Sequence, residues 1–425
     1  MTRIAGLGPD MNEHAGRGRE FFTTRTVAEA LAGFRPERRT ATETVALAGA
    51  LHRVPVAPVA APHALPGFAR STVDGYAVRA ADTYGVSDGL PGYLDVVGAV
   101  RMGAAPLPDV AVGPGGAVSM PTGGVLPPGA DAVIMVEYTQ EAMAGTIEVV
   151  RPVAPGDGVV RADEDAAPGA ELVPAGRPLR AHDLGMLAAA GVTRVAVHAR
   201  PRVTVFSTGD EVVPPDTATL RPGQVRDATA VALAAMITQA GGEPQPGGIV
   251  PDDPAALETC LRAALGTSDM IVISAGSSVG ARDETAAAVA RLGPPGIWCH
   301  GLAIRPGKPT LLAECGGVPV IGLPGNPRSA LVVFRLIGVA LVRRVGGCTM
   351  PPAEPVVRAR LGRDLASAAG RLDVVQVRVA EGLATPVFGL SALLSVLTAA
   401  DGYVIVPEEA TGLDAGTEID VTLYC

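Results

Sequence analysis

Lysine is almost missing from this chain: one, Lys308, stands against 33 arginines in 425 residues. Asparagine is nearly as scarce, with Asn12 close to the start and Asn326 the only other. Aromatic residues make up 3%, which argues against the base-stacking platforms of single-strand nucleic-acid binders. A net charge of −9 lacks the basic footprint of a nucleic-acid partner, yet it suits a phosphate-bearing small substrate if the basic groups gather at one site. The five cysteines, Cys260, Cys299, Cys315, Cys348 and Cys425, contain no C-x-x-C pair, so neither a zinc site nor a disulfide framework is indicated. Residues 1–20 are polar and charged and lack the apolar run of a signal peptide. The longest apolar segment, 330–342, contains Arg335 and is too short to span a bilayer. These absences lead us to expect a cytoplasmic protein with no nucleic-acid and no membrane partner.

What is present is ample apolar material, 48% hydrophobic with a mean hydropathy of +0.31, enough for a large core and several domains. Residues 1–22 read as a flexible tail. Apolar residues at helical spacing predict helices near 26–34 and 41–50. The following Pro-, Gly- and Val-rich stretch, with short alternating runs such as Ala132-Val133-Ile134-Met135-Val136, predicts a β-rich module up to about residue 168. A helix near 183–190 should end at Gly191. From 202 the rhythm changes: apolar runs at 202–206, 270–273 and 318–322 alternate with helical patterns at 229–240, 254–265, 284–292 and 327–345. This is the pattern of a parallel sheet covered by helices, whose ligands sit at the C-terminal ends of the strands. After Cys348, short runs at 356–359, 374–379, 403–406 and 419–423 predict a small all-β module.

The two rarities fall inside neighbouring rigid loops, Arg305-Pro306-Gly307-Lys308-Pro309 and Gly322-Leu323-Pro324-Gly325-Asn326-Pro327. A compact ammonium with three rotatable donors is not reproduced by a planar guanidinium, so a lysine kept among so many arginines points to an anion site. Two more strand-end loops belong to the same module. Ser207-Thr208-Gly209-Asp210-Glu211 can bind an anion or fix a turn. Ser274-Ala275-Gly276-Ser277-Ser278-Val279-Gly280 leads to Asp283, read as the head of the next helix, where it is either an N-cap or a functional acid. A second set lies upstream: Ser71-Thr72-Val73-Asp74-Gly75-Tyr76-Ala77, Met120-Pro121-Thr122-Gly123-Gly124, and the carboxylate run Asp163-Glu164-Asp165. That run is either a solvated loop or part of a hard-cation site.

Taken in order, these segments resemble the molybdopterin molybdenumtransferase family, that is MoeA and the gephyrin E domain, from about residue 24 to 425. The resemblance runs through Pro66-Gly67-Phe68, Asp74-Gly75-Tyr76-Ala77, Thr122-Gly123, Gly129-Ala130-Asp131-Ala132-Val133, Glu164-Asp165, Ser207 to Glu211, Asp283, Pro306-Gly307-Lys308-Pro309 and Leu323-Pro324-Gly325-Asn326-Pro327. It implies a multidomain α/β plus β fold: a discontinuous linker domain (23–60 with 170–200), a β-rich domain (61–169), a doubly wound molybdopterin-binding α/β domain (201–347) and a barrel-like C-terminal β domain (348–425). It implies a homodimer whose active site is shared between subunits, with the upstream adenylyltransferase as a candidate partner.

The implied reaction is insertion of molybdate into adenylylated molybdopterin with Mg²⁺ present, releasing AMP. The implied roles are catalysis by Asp74, Asp165, Asp283 and Lys308, with the three acids also holding the metal. Substrate binding falls to Thr122, Ser207, Thr208, Gly209, Glu211, Gly276, Ser278, Arg305, Pro324, Asn326, Arg371 and Ser391. The chain departs from the family pattern at Gly301, where a basic residue is usual, at Asp163 in place of the glycine of G-E-D, at Ala228-Thr229, and at Ala275 and Ser277. These departures keep two other readings open, a catalytically weak molybdopterin-binding or scaffold paralogue and a nucleotide-pyrophosphate hydrolase on the same α/β module. Retention of Asp74, Asp165, Asp283 and Lys308 together favours the transferase.

Overall fold

The structure, a computed structural model, describes residues 24–105, 110–274 and 279–424, with only the backbone at 279–283. The expected tail at 1–22 lies outside the described residues. The chain forms two compact units, one of them Glu43–Val197 and the other built from the chain on either side of it.

The larger unit is organised around a six-stranded sheet in the order Glu243–Val250, Arg202–Thr208, Met270–Ser274, Val318–Leu323, Leu311–Cys315 and Pro295–His300. Side-chain alternation covers both of its faces. Val203, Val205, Met270, Val272, Ile321 and Leu323 share one core with the helix Ala228–Gln239 and the run from Pro327–Val333 to Val339–Val345. Phe206, Ile271, Ile273, Val318 and Val320 share the other with Pro254–Leu265 and Val279–Ala290. The expected parallel sheet is present and carries two antiparallel strands at one side. Four strands are parallel, but Leu311–Cys315 turns back on Val318–Leu323 and pairs antiparallel with Pro295–His300. Gly316 and Gly317, at φ of +56° and +79°, make the tight hairpin that reverses the chain. Glu243–Val250 escapes the sequence pattern because Pro244 and Pro246 interrupt it; as an edge strand it tolerates them.

The C-terminal module is a closed barrel. Val356–Leu361, Leu372–Ala380, Leu383–Pro386, Gly402–Val406 and Glu418–Leu423 form its wall, and Leu372–Ala380 closes it by pairing with both Leu383–Pro386 and Gly402–Val406. Leu361, Val377, Ala384, Val404, Val406 and Val421 fill it. The short strand Ile304–Arg305 leaves the α/β layer and pairs in parallel with Leu372 and Asp373 on the barrel. The first helix, Val27–Gly33, is closed by a capping box between Thr26 and Glu29. Its Val27 and Ala30, with Phe34, join the α/β core instead of grouping with the 43–60 segment.

The smaller unit carries a six-stranded sheet in which Gly75–Val78 lies between Gly116–Met120 and Ala132–Met135. The helix expected at 41–50 is instead a strand, Thr42–Ala46, paired with Arg194–His198 and followed by a single 3₁₀ turn, Leu47–Gly49. Thr42, Thr44 and Val45 are β-branched, which outweighs the helical spacing of the apolar positions. The glycine beside Asp74 is fixed by close approach: a Cβ on Gly75 would lie 1.8 Å from the Ile134 carbonyl oxygen. Backbone cannot yield as a side chain does. Gly75→Ala should cost this unit about 1–3 kcal/mol, read as a lowered thermal midpoint in circular dichroism; an unchanged midpoint would show that the sheet absorbs the methyl.

Candidate functional site

The loop between Arg305 and Lys308 is held from three sides. Gly307, at φ of +125°, lies against the helix Pro327–Val333, where a Cβ would come within 2.3 Å of Val333. The buried Thr310 hydroxyl donates to the Gly307 carbonyl at 2.7 Å. The Lys308 carbonyl accepts the amides of Leu302 and Thr310 at 2.8 and 2.9 Å. The backbone is therefore fixed while the Lys308 side chain stays exposed.

The second rare residue is also placed for more than its helix. Asn326 occupies the N-cap of Pro327–Val333, yet its side chain makes no capping bond. It donates from Nδ2 to the Ser391 hydroxyl at 2.8 Å instead, across to the loop after the barrel strand Leu383–Pro386. These contacts shape a cavity of about 630 Å³ between the α/β layer and the barrel of one chain. Of the residues expected in the site, it gathers Arg305, Lys308, Pro324, Asn326, Arg371 and Ser391.

Two lining residues were not expected from the sequence. Asp373, almost fully buried, accepts from Arg371 Nε at 2.9 Å and forms an ion pair with Arg305 at 3.6 Å. The signal available was Asp373 two positions after Arg371, close to it at the start of the strand Leu372–Ala380. Arg328 follows the Asn-Pro pair and is also buried. Its Nε donates to Gln376 Oε1 and its Nη1 to the Gly389 carbonyl, each at 2.7 Å. Four cationic side chains and one carboxylate thus line the cavity, an excess of positive charge in a chain that is acidic as a whole.

The other expected residues are not among those lining this cavity. In Ser207 to Glu211 the turn reading holds: the Gly209 and Val212 amides donate to the Val250 and Gly209 carbonyls. Ser207 Oγ is buried without a hydrogen-bond partner among the described residues, and Glu211 folds back over Gly209, whose φ is +138°. Burial, then the Glu211 and Asp210 charges, push the nearby Asp252 carboxyl up from its ordinary range. Gly276 and Ser278 lie outside the described residues. The helix Val279–Ala290 begins before Asp283, so Asp283 is in its second turn and not an N-cap; its side chain is outside the described part.

In the smaller unit, Asp74 and Thr122 meet. The Thr122 amide and hydroxyl both donate to Asp74 Oδ1, at 2.7 and 3.0 Å. Those two bonds, the amide first, hold the Asp74 carboxyl below its ordinary range, so it is a carboxylate at neutral pH. Asp165 is exposed, and its amide donates to the Leu65 carbonyl. Asp163 has φ of +64°, a conformation that favours glycine, which accounts for the glycine expected there. No group of three His, Cys, Asp or Glu able to hold a metal occurs among the described residues.

Three family descriptions match the chain in order: the MoeA N-terminal region (domain I and II) over residues 25–191, a probable molybdopterin binding domain over 204–344, and the MoeA C-terminal region (domain IV) over 358–424. A molybdopterin molybdenumtransferase from Nostoc sp. is 37% identical over 72% of this chain and 70% of its own length. Molybdopterin molybdenumtransferase 2 of Mycobacterium tuberculosis is 32% identical over 93% of this chain and 97% of its own. A crystal structure of the molybdopterin biosynthesis moeA protein from Pyrococcus horikoshii superposes with a TM-score of 0.81 at 29% identity, covering 94% of this chain and all of that one. The matched regions take in both units and the cavity, and the chain belongs to the molybdopterin molybdenumtransferase family, the MoeA family.

Proposed function

We propose that this chain acts in the cytoplasm as a molybdenum-inserting transferase of molybdenum cofactor biosynthesis, joining molybdate to adenylylated molybdopterin and releasing AMP. The observation that carries the reading is the cavity that unites Arg305, Lys308, Arg371, Asn326 and Ser391, with net positive charge and hydroxyl and amide groups beside it. Tetrahedral oxyanions and phosphates are bound by such charge-assisted hydrogen bonds. Arg371 and Arg305 present forks whose positions Asp373 sets, and Lys308 adds a mobile ammonium on a fixed turn. Family membership supplies the choice of substrates.

Mg²⁺ belongs to the proposal on the chemistry of its donors. Thr122 engages only Oδ1 of Asp74, leaving Oδ2, and Asp165 is exposed. One or two carboxylates, completed by water and substrate phosphate, are the usual protein share of a Mg²⁺ site. When bound, the ion would offset phosphate charge and polarise the anhydride. Asp74, kept ionised by Thr122, would hold it or orient the water that enters, with Asp165 and Asp283 as the other acids.

We further propose a homodimer in which the Asp74–Thr122 loop of one chain serves the Lys308 cavity of its partner, with the upstream adenylyltransferase delivering the substrate.

Lys308→Ala should lower AMP release by about a hundredfold or more, the scale of losing one group that stabilises developing oxyanion charge. Lys308→Arg should be nearly as poor, because a fork does not replace a point charge. The assay is purified protein with adenylylated molybdopterin, molybdate and Mg²⁺; near-normal release by the Arg variant would show the lysine to be incidental.

A mixture of Asp74→Ala and Lys308→Ala chains, each inactive alone and co-expressed so that subunits exchange, should recover about a quarter of wild-type activity, since each mixed dimer keeps one intact site of two. Demonstrated heterodimers that stay inactive would place each site within a single chain.

A further inference from the structure

Two of the cavity's four cations are balanced inside the chain, since Arg371 and Arg305 share the Asp373 carboxylate. Lys308 and Arg328 have no carboxylate within ion-pair distance among the described residues. For Lys308 this is unremarkable in energetic terms, because its side chain is exposed to water. Arg328 is different. It is 9% exposed, and its two hydrogen bonds go to neutral acceptors, a glutamine amide oxygen and a backbone carbonyl. Its Nη2 donates to no described group.

A buried guanidinium without an opposite charge is expensive, because desolvation is not repaid by Coulomb attraction. Burial first, and then the nearby Arg305 charge, push the Arg328 pKa down, with Tyr424 opposing. An anion in the cavity would relieve both the missing counter-charge and the repulsion between the two arginines. The bonds to Gln376 and Gly389 already fix the plane of the guanidinium, so little rotamer entropy remains to be lost when a ligand arrives.

We propose that Arg328 is an oxyanion-binding residue: its buried guanidinium lines the cavity and supplies positive charge for a tetrahedral oxyanion, either free molybdate or a phosphate of the pterin substrate's anhydride. The inference rests on the reading of this cavity as the oxyanion site. The competing role is that of a strut, in which Arg328 only ties the start of the helix Pro327–Val333 to the barrel through Gln376 and Gly389.

The two roles make opposite predictions for the full-length chain. Molybdate alone, and inorganic phosphate alone, are titrated by calorimetry into the wild type, Arg328→Met and Arg328→Lys. Arg328→Met should weaken oxyanion binding about tenfold or more, the scale of one lost hydrogen bond to a charged group, and Arg328→Lys should fall between. The anion more affected identifies the occupant, molybdate or the substrate's phosphate. Without ligand, Arg328→Met should melt close to the wild type, since removing an uncompensated buried charge offsets the two hydrogen bonds lost at Gln376 and Gly389. Millimolar molybdate or phosphate should then raise the melting point of the wild type more than that of the variant.

The inference is overturned if Arg328→Met binds both anions as the wild type does. It is equally overturned if that variant melts far lower without ligand yet keeps the full anion-induced rise, which is the behaviour of a strut. If the Met variant does not fold, Arg328→Lys and Arg328→Gln decide by the same comparison. AMP release separates this inference from the reaction proposed above. A wild type that binds oxyanion through Arg328 but releases no AMP refutes the reaction alone. A wild type that turns over, with binding untouched in the variants, refutes the role of Arg328 alone.

Discussion

The buried carboxylate of Asp373 is where the α/β layer is tied to the barrel at the level of the site. The strand Ile304–Arg305 is laid against Leu372 and Asp373 in parallel register, and the same aspartate takes up the charge of Arg305 from one module and Arg371 from the other. The carboxylate is buried while both guanidinium groups reach water, so removing the arginines would leave a buried charge without a partner. The turn at Pro306 to Pro309 hangs from this tie. Its far end is held by the Thr310 hydroxyl on the Gly307 carbonyl, and its near end by the Arg305 pairing. The two walls of the cavity meet at Asp373, and the Asn326–Ser391 and Arg328–Gln376 bonds join them again.

This arrangement also explains why the chain, so given to arginine, uses both kinds of cation in one loop. Arg305 and Arg371 face a carboxylate, and a planar fork suits that partner. Lys308 faces no carboxylate among the described residues, is exposed, and projects from a turn whose backbone is immobilised by its own carbonyl. Under the proposed function, a flexible stem with a compact charge fits a group that follows a ligand through a reaction. Arginine is kept where position matters and lysine where reach does.

Much of this was legible in the sequence, because Pro, Gly and apolar alternation act locally. The loops at 305–309 and 322–327, the strand at Met270–Ser274, the helix Pro254–Leu265 and the C-terminal strands all declare themselves within a dozen residues. What was hidden depends on distant partners. Nothing near Asn326 announces that its amide leaves the helix cap for Ser391, 65 positions away. Arg328 sits at the head of the apolar stretch Ala330 to Phe334 and looks like an ordinary surface arginine until Gln376 and Gly389 close over it. The helical spacing at 41–50 misled because β-branched residues with a strand partner at 194–198 prefer extension. Asp283 was misplaced by the small residues before it, which look like loop but continue the helix toward its start at Val279.

The contact between Gly307 and Val333 carries a consequence for how variation in this family is interpreted. Val333 is fully buried, and by position it belongs to the hydrophobic core, while Gly307 belongs to a loop that lines the cavity. Because no room is left between them, the two positions are epistatic. We expect an Ile or Leu at 333, conservative by any hydrophobicity scale, to press on the loop that carries Lys308 as well as on the core around it. In a mutational survey such a change would register as a loss of turnover beyond any loss of abundance, and be mistaken for damage to the chemistry itself.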